Sequence, residues 1–176
     1  MRLLKPGGRA GIVLPDGFLF GEGAKTRIKR KLLHECNLHT IVRLPNGVFS
    51  PYTGIKTNLL FFTKGGPTKE IWYFEHPYPD GYKSYSKTKP IRAEEFFLEK
   101  EWWKHREQNP YAWKVSLEEI EAGCYNLDMK HPEAAFIRHG DPAELLEEFE
   151  QNELNIQHLC RLLKSELFDA LTGGHG

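Results

Sequence analysis

The sequence predicts an α/β fold: a mixed sheet that ends in an antiparallel hairpin, followed by an α-helical segment. Residues 12–14 form a short apolar run after a Gly-Gly pair, which is typical of a strand covered on both faces. Residues 40–42 are β-branched and residues 59–62 are apolar, which predicts two more strands, and the loop that joins them has no helical pattern. A three-four spacing of apolar residues then appears beyond residue 141. At 176 residues and 40% hydrophobic content, the chain has enough apolar surface for a packed core.

A glycine-punctuated loop and then a helix follow the first strand. The helix is predicted over residues 24–36, where Ile28, Leu32 and Cys36 are spaced four apart on one face. Basic residues lie away from that face, namely Lys25, Lys29 and Arg30. Their two interpretations are a solvated helix surface and, as the sharper alternative, a surface that contacts phosphate.

The next strands are predicted over residues 39–44, 56–64 and 70–75. The first two are separated by an Asn-Gly turn and a loop without a helix. A right-handed parallel crossover needs such a helix, so these two strands should pair antiparallel. The strand at 70–75 is expected to add at the edge of the sheet.

Three segments are therefore expected, with boundaries at 1–76, 77–124 and 125–176. The middle segment is predicted to be an irregular connection with short helices at 92–104 and after a Ser-x-x-Glu capping box at 116–119. Its aromatic residues are expected to anchor irregular chain by packing: Trp102, Trp103, Tyr111 and Trp113. In the last segment an Asp-Pro pair at 141–142 opens a helix predicted to run to residue 173.

Composition excludes several classes of protein. The 24 basic residues balance 24 acidic ones, which argues against a polyanion binder of extreme charge. Three scattered cysteines predict free thiols in a reducing cytoplasm rather than a disulfide or zinc framework. The eight histidines form no ligand pattern, so no metal site is expected. No signal peptide or membrane-spanning apolar run is found, which predicts a cytoplasmic location and no membrane partner.

Two blocks of the sequence resemble a known family. Residues 7–17 read Gly-Gly-Arg-Ala-Gly-Ile-Val-Leu-Pro-Asp-Gly, and residues 44–57 read Leu-Pro-Asn-Gly-Val-Phe-Ser-Pro-Tyr-Thr-Gly-Ile-Lys-Thr. Together they resemble the modification (M) subunit of type I restriction–modification systems, an adenine-N6 DNA methyltransferase that uses S-adenosylmethionine. The segment Tyr-Asn-Leu-Asp at 125–128, with Pro132 after it, is similar to the region that follows the catalytic domain of that family.

The resemblance implies that residues 1–76 are the C-terminal half of a Rossmann-like methyltransferase sheet. The family's glycine-rich cofactor loop and its Asn-Pro-Pro-Phe motif are not found in this sequence, whose one Asn-Pro pair is at 109–110 and is followed by Tyr111. In the family, that motif orients the adenine amino group for attack on the sulfonium methyl. We therefore expect no catalytic residue in this chain, no cofactor bound to it and no methyl transfer by it alone. S-adenosylmethionine is expected only in a full-length parent.

The resemblance also implies a wall of the pocket for an extruded base. Phe49 matches the position whose aromatic ring stacks on the flipped base, and Tyr52 is a second candidate; core packing of Phe49 is the alternative. Asp16 and Gly17, after the first strand, should line the same crevice, although a turn-forming aspartate explains Asp16 as well. Further candidates are Lys56 and Thr57, which either contact DNA phosphate or are exposed residues that start a strand.

The expected partners are double-stranded DNA and the specificity (S) and restriction (R) subunits. An apolar seam on the last helix is the candidate docking face, formed by Leu145, Phe149, Ile156, Leu159 and Leu163; packing on the chain's own domain is the alternative. We also expect self-association through an exposed edge of the first strand. The rival functions are a non-catalytic DNA- or subunit-interaction module, and a protein-glutamine or RNA methyltransferase that shares this half of the sheet.

Overall fold

The computed structural model describes residues 3–132, 153, 156–157 and 159–164. Five strands lie in the first part of the chain: β1 (Arg9–Pro15), β2 (Cys36–Arg43), β3 (Thr57–Lys64), β4 (Glu70–Glu75) and β5 (Ala112–Ser116). Three α-helices accompany them: α1 (Ala24–Glu35), α2 (Phe97–Lys104) and α3 (Leu117–Ala122). Short 3-10 turns occupy Asp16–Phe18 and Ala93–Phe96. The chain divides into two compact units, Met1–Glu133 and Ala134–Gly176. The three-segment division predicted from the sequence stays a prediction.

The strands form one mixed sheet in the order β1-β3-β2-β4-β5. The loop after β2 returns β3 antiparallel to it, with Ile41 opposite Leu60, as the missing crossover helix predicted. β3 also pairs antiparallel with β1, so that it lies between β1 and β2. β2 and β4 are parallel, and β5 is antiparallel to β4. The predicted α/β class and mixed sheet are confirmed.

The predicted position of β4 at the edge of the sheet is wrong. β5 covers its outer side, with Tyr73 opposite Trp113 and the two rings stacked 5.3 Å apart. The sequence did not predict β5, because β5 is short and its Trp113 is expected from the sequence to anchor irregular chain. Trp113 does anchor that region by packing, but it does so from within the sheet.

β1 lies at the edge of the sheet, and in the described part of the chain it pairs with β3 alone. This confirms the expected partner on one side and the open edge on the other. Ile12 and Val13 are 44% and 48% exposed. The expectation that both faces of β1 are covered is therefore wrong for the residues described.

Two apolar clusters cover opposite faces of the sheet. One contains residues of α1 and α3, and the other contains Trp102 of α2. The predicted burial of α1 needs a correction. Ile28 is half exposed, whereas Lys29 is buried with Leu32, Leu33 and Cys36. The inward face of α1 is formed by Lys29, Leu32 and Leu33, so the predicted burial of Leu32 is confirmed. Lys29 Nζ donates a 2.6 Å hydrogen bond to the Leu19 carbonyl. Lys29 is thus not part of a solvated surface.

The capping box after β5 is confirmed. Ser116 Oγ accepts the Glu119 N–H at 3.2 Å, and Glu119 Oε2 accepts the Ser116 N–H at 2.8 Å. The Ser116 hydroxyl also donates to Glu119 Oε2, and the hydrogen bonds from the Ser116 N–H and hydroxyl lower the pKa of Glu119. Of the long helix predicted over 141–173, the described positions are helical, and the rest lie outside the described residues. Among the helices described, none has the length and apolar character needed to cross a membrane.

Candidate functional site

Several candidate residues lie together at one end of the sheet, where β1 and β2 finish and β3 begins. β3 is antiparallel to β1 and β2, so its first residues lie beside their last ones: Pro15 is opposite Thr57, and Arg43 is opposite Asn58. The Asp16 N–H donates to the Lys56 carbonyl at 2.8 Å. The fold therefore brings Asp16 next to Lys56 and Thr57, which the sequence named separately.

The Asp16 carboxylate is held by two side chains from neighbouring strands. Asn58 Nδ2 donates to Asp16 Oδ1 at 3.0 Å, and Arg43 Nη2 lies 3.7 Å from the same oxygen. The Asp16 carbonyl also accepts the Leu19 N–H, so the residue takes part in a turn as well. Sequence reasoning missed Arg43 and Asn58. Their one sequence signal was a polar residue directly beside an apolar run, Ile41-Val42 before Arg43 and Leu59-Leu60 after Asn58.

Arg43 extends the network to the segment beyond the sheet. Its Nη2 lies 2.7 Å from Asp128 Oδ1, and its Nη1 donates to the Met129 carbonyl at 2.9 Å. Leu127 is fully buried in the core, and its carbonyl accepts the Tyr73 hydroxyl proton at 3.2 Å. Two of the segments that carried the resemblance, 7–17 and 125–128, thus meet around the guanidinium group of Arg43.

The loop between β2 and β3 carries aromatic side chains at the same end of the sheet. Gly47 has φ +80°, the left-handed conformation that the Asn-Gly turn predicted. The Gly47 carbonyl accepts the Ser50 N–H, and the Phe49 carbonyl accepts those of Tyr52 and Thr53, at 2.9–3.1 Å. Phe49 is 39% exposed and Tyr52 is 93% exposed. The Phe49 ring is therefore accessible in part, and its stacking role stays a prediction.

The other candidates differ in exposure. Lys56 is exposed, while Thr57 is buried and its Oγ1 has no partner among the described residues. The alternative that both are exposed strand-starting residues is wrong for Thr57. Gly17 is half-buried within the 3-10 turn that follows β1.

The polar groups at this end of the sheet do not by themselves fit a site for S-adenosylmethionine. Asp16, Arg43 and Asn58 are engaged with one another. The side-chain oxygen of Asn109 is also engaged, since it accepts the Tyr111 N–H at 2.8 Å in a turn before β5. Within the described ranges, no group of three or more potential ligands is placed to hold a metal ion, and the three cysteines are free thiols.

The predicted docking seam is described in part. Ile156, Leu159 and Leu163 are helical and 58–61% exposed, and Leu162, which the sequence analysis did not name, is 49% exposed. Leu145 and Phe149 lie outside the described residues. The seam's role stays a prediction.

Comparison with known proteins bears on this geometry. The chain is 55% identical to the methylase subunit of the type I restriction enzyme EcoEI from Escherichia coli, over all of this chain and 37% of that protein. It is 57% identical to the StySJI methylase subunit of Salmonella typhimurium over 41% of this chain and 15% of that protein. The chain thus spans about a third or less of the length of these curated relatives.

Solved structures agree. The modification subunit of a type I restriction enzyme from Vibrio vulnificus matches with a TM-score of 0.71 and 47% identity, over 78% of this chain and 31% of that one. A chain from a study of complex assembly in the type I R-M system matches with a TM-score of 0.70 and 35% identity, over 98% of this chain and 37% of that one. The N-6 DNA Methylase family model matches residues 1–139. This chain belongs to the N-6 DNA methylase family, among the methylase subunits of type I restriction enzymes.

Proposed function

We propose that this chain supplies one wall of the target-base pocket of an adenine-N6 DNA methyltransferase, the M subunit of a type I restriction–modification system. The supporting observation is the placement of the Phe49 loop, which is residues 44–56 between β2 and β3. This loop lies at the same end of the sheet as the Asp16–Asn58–Arg43 network, and ligands bind beyond the carboxyl ends of the strands in open α/β sheets.

The loop has the properties that a base-stacking wall needs. An extruded base is held against aromatic surface, and Phe49 offers a partly accessible ring on a turn fixed by three backbone hydrogen bonds. Tyr52 is far more exposed and contributes a second ring to the same loop. The exposed Lys56 ammonium adds a positive charge that suits a phosphate of the DNA backbone.

The methyl group would come from S-adenosylmethionine bound by other parts of a full-length subunit. The part played by this chain is to hold the base: the ring of Phe49 covers one face of the adenine, and Asp16 stays fixed beside it through Asn58 and Arg43. The isolated chain is accordingly inactive, and the complete subunit acts on DNA in the cytoplasm.

The stacking role is tested with a chimera in which this chain replaces the matching 37% of the EcoEI methylase subunit. Stacking on an aromatic ring contributes about 1–3 kcal/mol per base, so Phe49→Ala should lower kcat/KM for DNA methylation by about 5- to 150-fold. Phe97→Ala removes an exposed ring on α2 and is the matched control, expected to change kcat/KM less than twofold. Unimpaired methylation by Phe49→Ala would remove the proposed role.

We further propose that the helical positions 156–157 and 159–164 dock on the specificity subunit, with the restriction subunit joining the same assembly. The exposed side chains of Ile156, Leu159 and Leu163 supply an apolar face for a helical partner. Replacing Leu159 by Lys should abolish co-purification of the chimera with the EcoEI specificity subunit, whereas Lys164→Glu, a charge change on the same helix, should not. Retained co-purification by Leu159→Lys would contradict the docking proposal.

A further inference from the structure

A buried chain of polar side chains lies behind the Phe49 loop. His76, directly after β4, faces two groups: its Nδ1 bonds Glu99 Oε1 of α2, and its Nε2 lies 3.5 Å from the Tyr85 hydroxyl. The Tyr85 hydroxyl donates to Glu95 Oε2. The residues His76, Tyr85 and Glu99 are at least 95% buried. Buried polar groups of this kind are costly unless paired, so each constrains the next.

These hydrogen-bonded side chains join elements that are otherwise separate in the fold. Glu95 belongs to the 3-10 turn before α2 and Glu99 to α2, whereas His76 directly follows β4. The backbone N–H of His76 also donates to the Arg43 carbonyl at 2.9 Å, which connects these side chains to the end of β2. The Phe96 ring lies 4.8 Å from the His76 imidazole and covers it. Tyr85 thus has a side chain fixed from several directions.

The backbone of Tyr85 in turn contacts the Phe49 loop. Its N–H donates to the Asn46 carbonyl at 3.3 Å, and a Cβ at Gly47 would collide with the Tyr85 carbonyl oxygen. The Tyr78 hydroxyl donates to the same Asn46 carbonyl at 3.2 Å, and the Tyr78 and Tyr85 rings lie 5.6 Å apart. The turn at 46–47 is therefore held against Tyr85, and Phe49 follows two residues later.

We propose that Tyr85, fixed through its hydroxyl by Glu95 and His76, is a positioning residue that sets the place of the Phe49 loop. The inference rests on the proposed function, because the loop matters for methylation only if Phe49 faces the target base. Burial, followed by the hydrogen bond to Glu95, raises the pKa of Tyr85. The hydroxyl consequently keeps its proton and remains a donor at neutral pH.

The positioning is tested on the chain itself, without DNA, by hydrogen exchange followed by mass spectrometry. Tyr85→Phe removes one hydroxyl and keeps the ring, and Glu95→Ala removes its acceptor. Either change should speed exchange of the amides at 46–56 about tenfold, with no change in peptides from β2 and β3. Glu95→Gln should restore protection to within threefold, since its amide can still bond the Tyr85 hydroxyl. Tyr125→Phe is the control: it also loses a hydroxyl hydrogen bond, to Glu121, and should leave the loop unchanged.

Two outcomes would overturn the inference: unchanged protection of 46–56 in both Tyr85→Phe and Glu95→Ala, or faster exchange that extends equally into β2 and β3. In the chimera, Tyr85→Phe should lower kcat for methylation about tenfold without changing KM for the cofactor. The two proposals fail separately. If exchange at 46–56 rises but Phe49→Ala methylates normally, the positioning stands and the base-stacking function falls.

Discussion

Arg43 and Asp128, at the end of β2 and beyond α3, face each other with Nη2 2.7 Å from Oδ1. Their side chains are 13% and 24% exposed, so the pair is neither fully buried nor freely solvated. Arg43 also lies 3.7 Å from Asp16, so its guanidinium group is shared by the end of the sheet and the segment at 125–128. This contact therefore joins the segment beyond α3 to the end of β2.

A double-mutant cycle measures the strength of that pair. Breaking a partly buried pair lies between the surface and fully buried cases, so Arg43→Ala and Asp128→Ala should each lower the free energy of unfolding by about 2 kcal/mol, with a coupling energy of about 1 kcal/mol. The exposed pair Lys31–Glu35 is the control and should show coupling below about 0.5 kcal/mol. Strict additivity of the Arg43 and Asp128 substitutions in urea unfolding would disprove the coupling.

The turn that carries Phe49 requires glycine at position 47. Its positive φ and its contact with the Tyr85 backbone both oppose a side chain, so Gly47→Ala should lower the free energy of unfolding by about 2 kcal/mol. Gly54 lies in the same loop, has no positive φ and would present its Cβ to open space. Gly54→Ala should therefore be neutral or slightly stabilising. Chemical denaturation of both variants decides the matter, and equal stabilities would be inconsistent with the described turn.

Burial of Lys29 should make stability depend on pH in the alkaline range. Desolvation lowers the pKa of Lys29 from its ordinary value of 10.5. Between the lowered pKa and 10.5 the unfolded chain holds a proton that the folded chain has released, so the free energy of unfolding rises with pH there. Lys29→Met lacks this contribution. The free energies of unfolding of the two proteins, measured in urea between pH 7.5 and 10, should diverge as the pH rises. A difference that stays constant with pH would show that the Lys29 ammonium is solvated.

The open edge of β1 should cause self-association. Ile12 and Val13 expose apolar surface on a strand whose outer side is unpaired in the described residues. Light scattering should give a mass above 20.4 kDa that rises with concentration, and Val13→Lys should return it to the monomer value. A strictly monomeric mass for the unsubstituted chain at high concentration would count against this expectation.

Local sequence patterns predicted much of the fold. The capping box at Ser116 and Glu119, the turn at Gly47 and the antiparallel return of β3 all follow from short-range chemistry, and the structure contains each of them. The inward face of α1 was predicted in part: Leu32 is buried as expected, but the four-residue apolar spacing also placed Ile28 inside. The observed helix instead buries Lys29, whose ammonium finds the Leu19 carbonyl in a loop that the periodicity of the helix does not describe.

The candidate site was predictable only in part for a similar reason. Asp16 and Phe49 were named because they lie in recognisable blocks of sequence. Their supports, Arg43 and Asn58 for Asp16 and Tyr85 for the loop, become neighbours only through strand register and long-range packing. A single sequence contains no direct measure of such contacts. The strand β5 was missed on the same grounds, since its five residues gain their structure from pairing with β4.

The most direct test follows the transfer of labelled methyl groups from S-adenosylmethionine to adenine-containing DNA by two proteins, this chain alone and its chimera with the rest of the EcoEI methylase subunit. We expect incorporation by the chimera together with its specificity subunit, and none by the isolated chain. Methylation by the 176 residues alone would mean that the reactive centre lies within them, and would refute the assignment of this chain to one wall of the pocket.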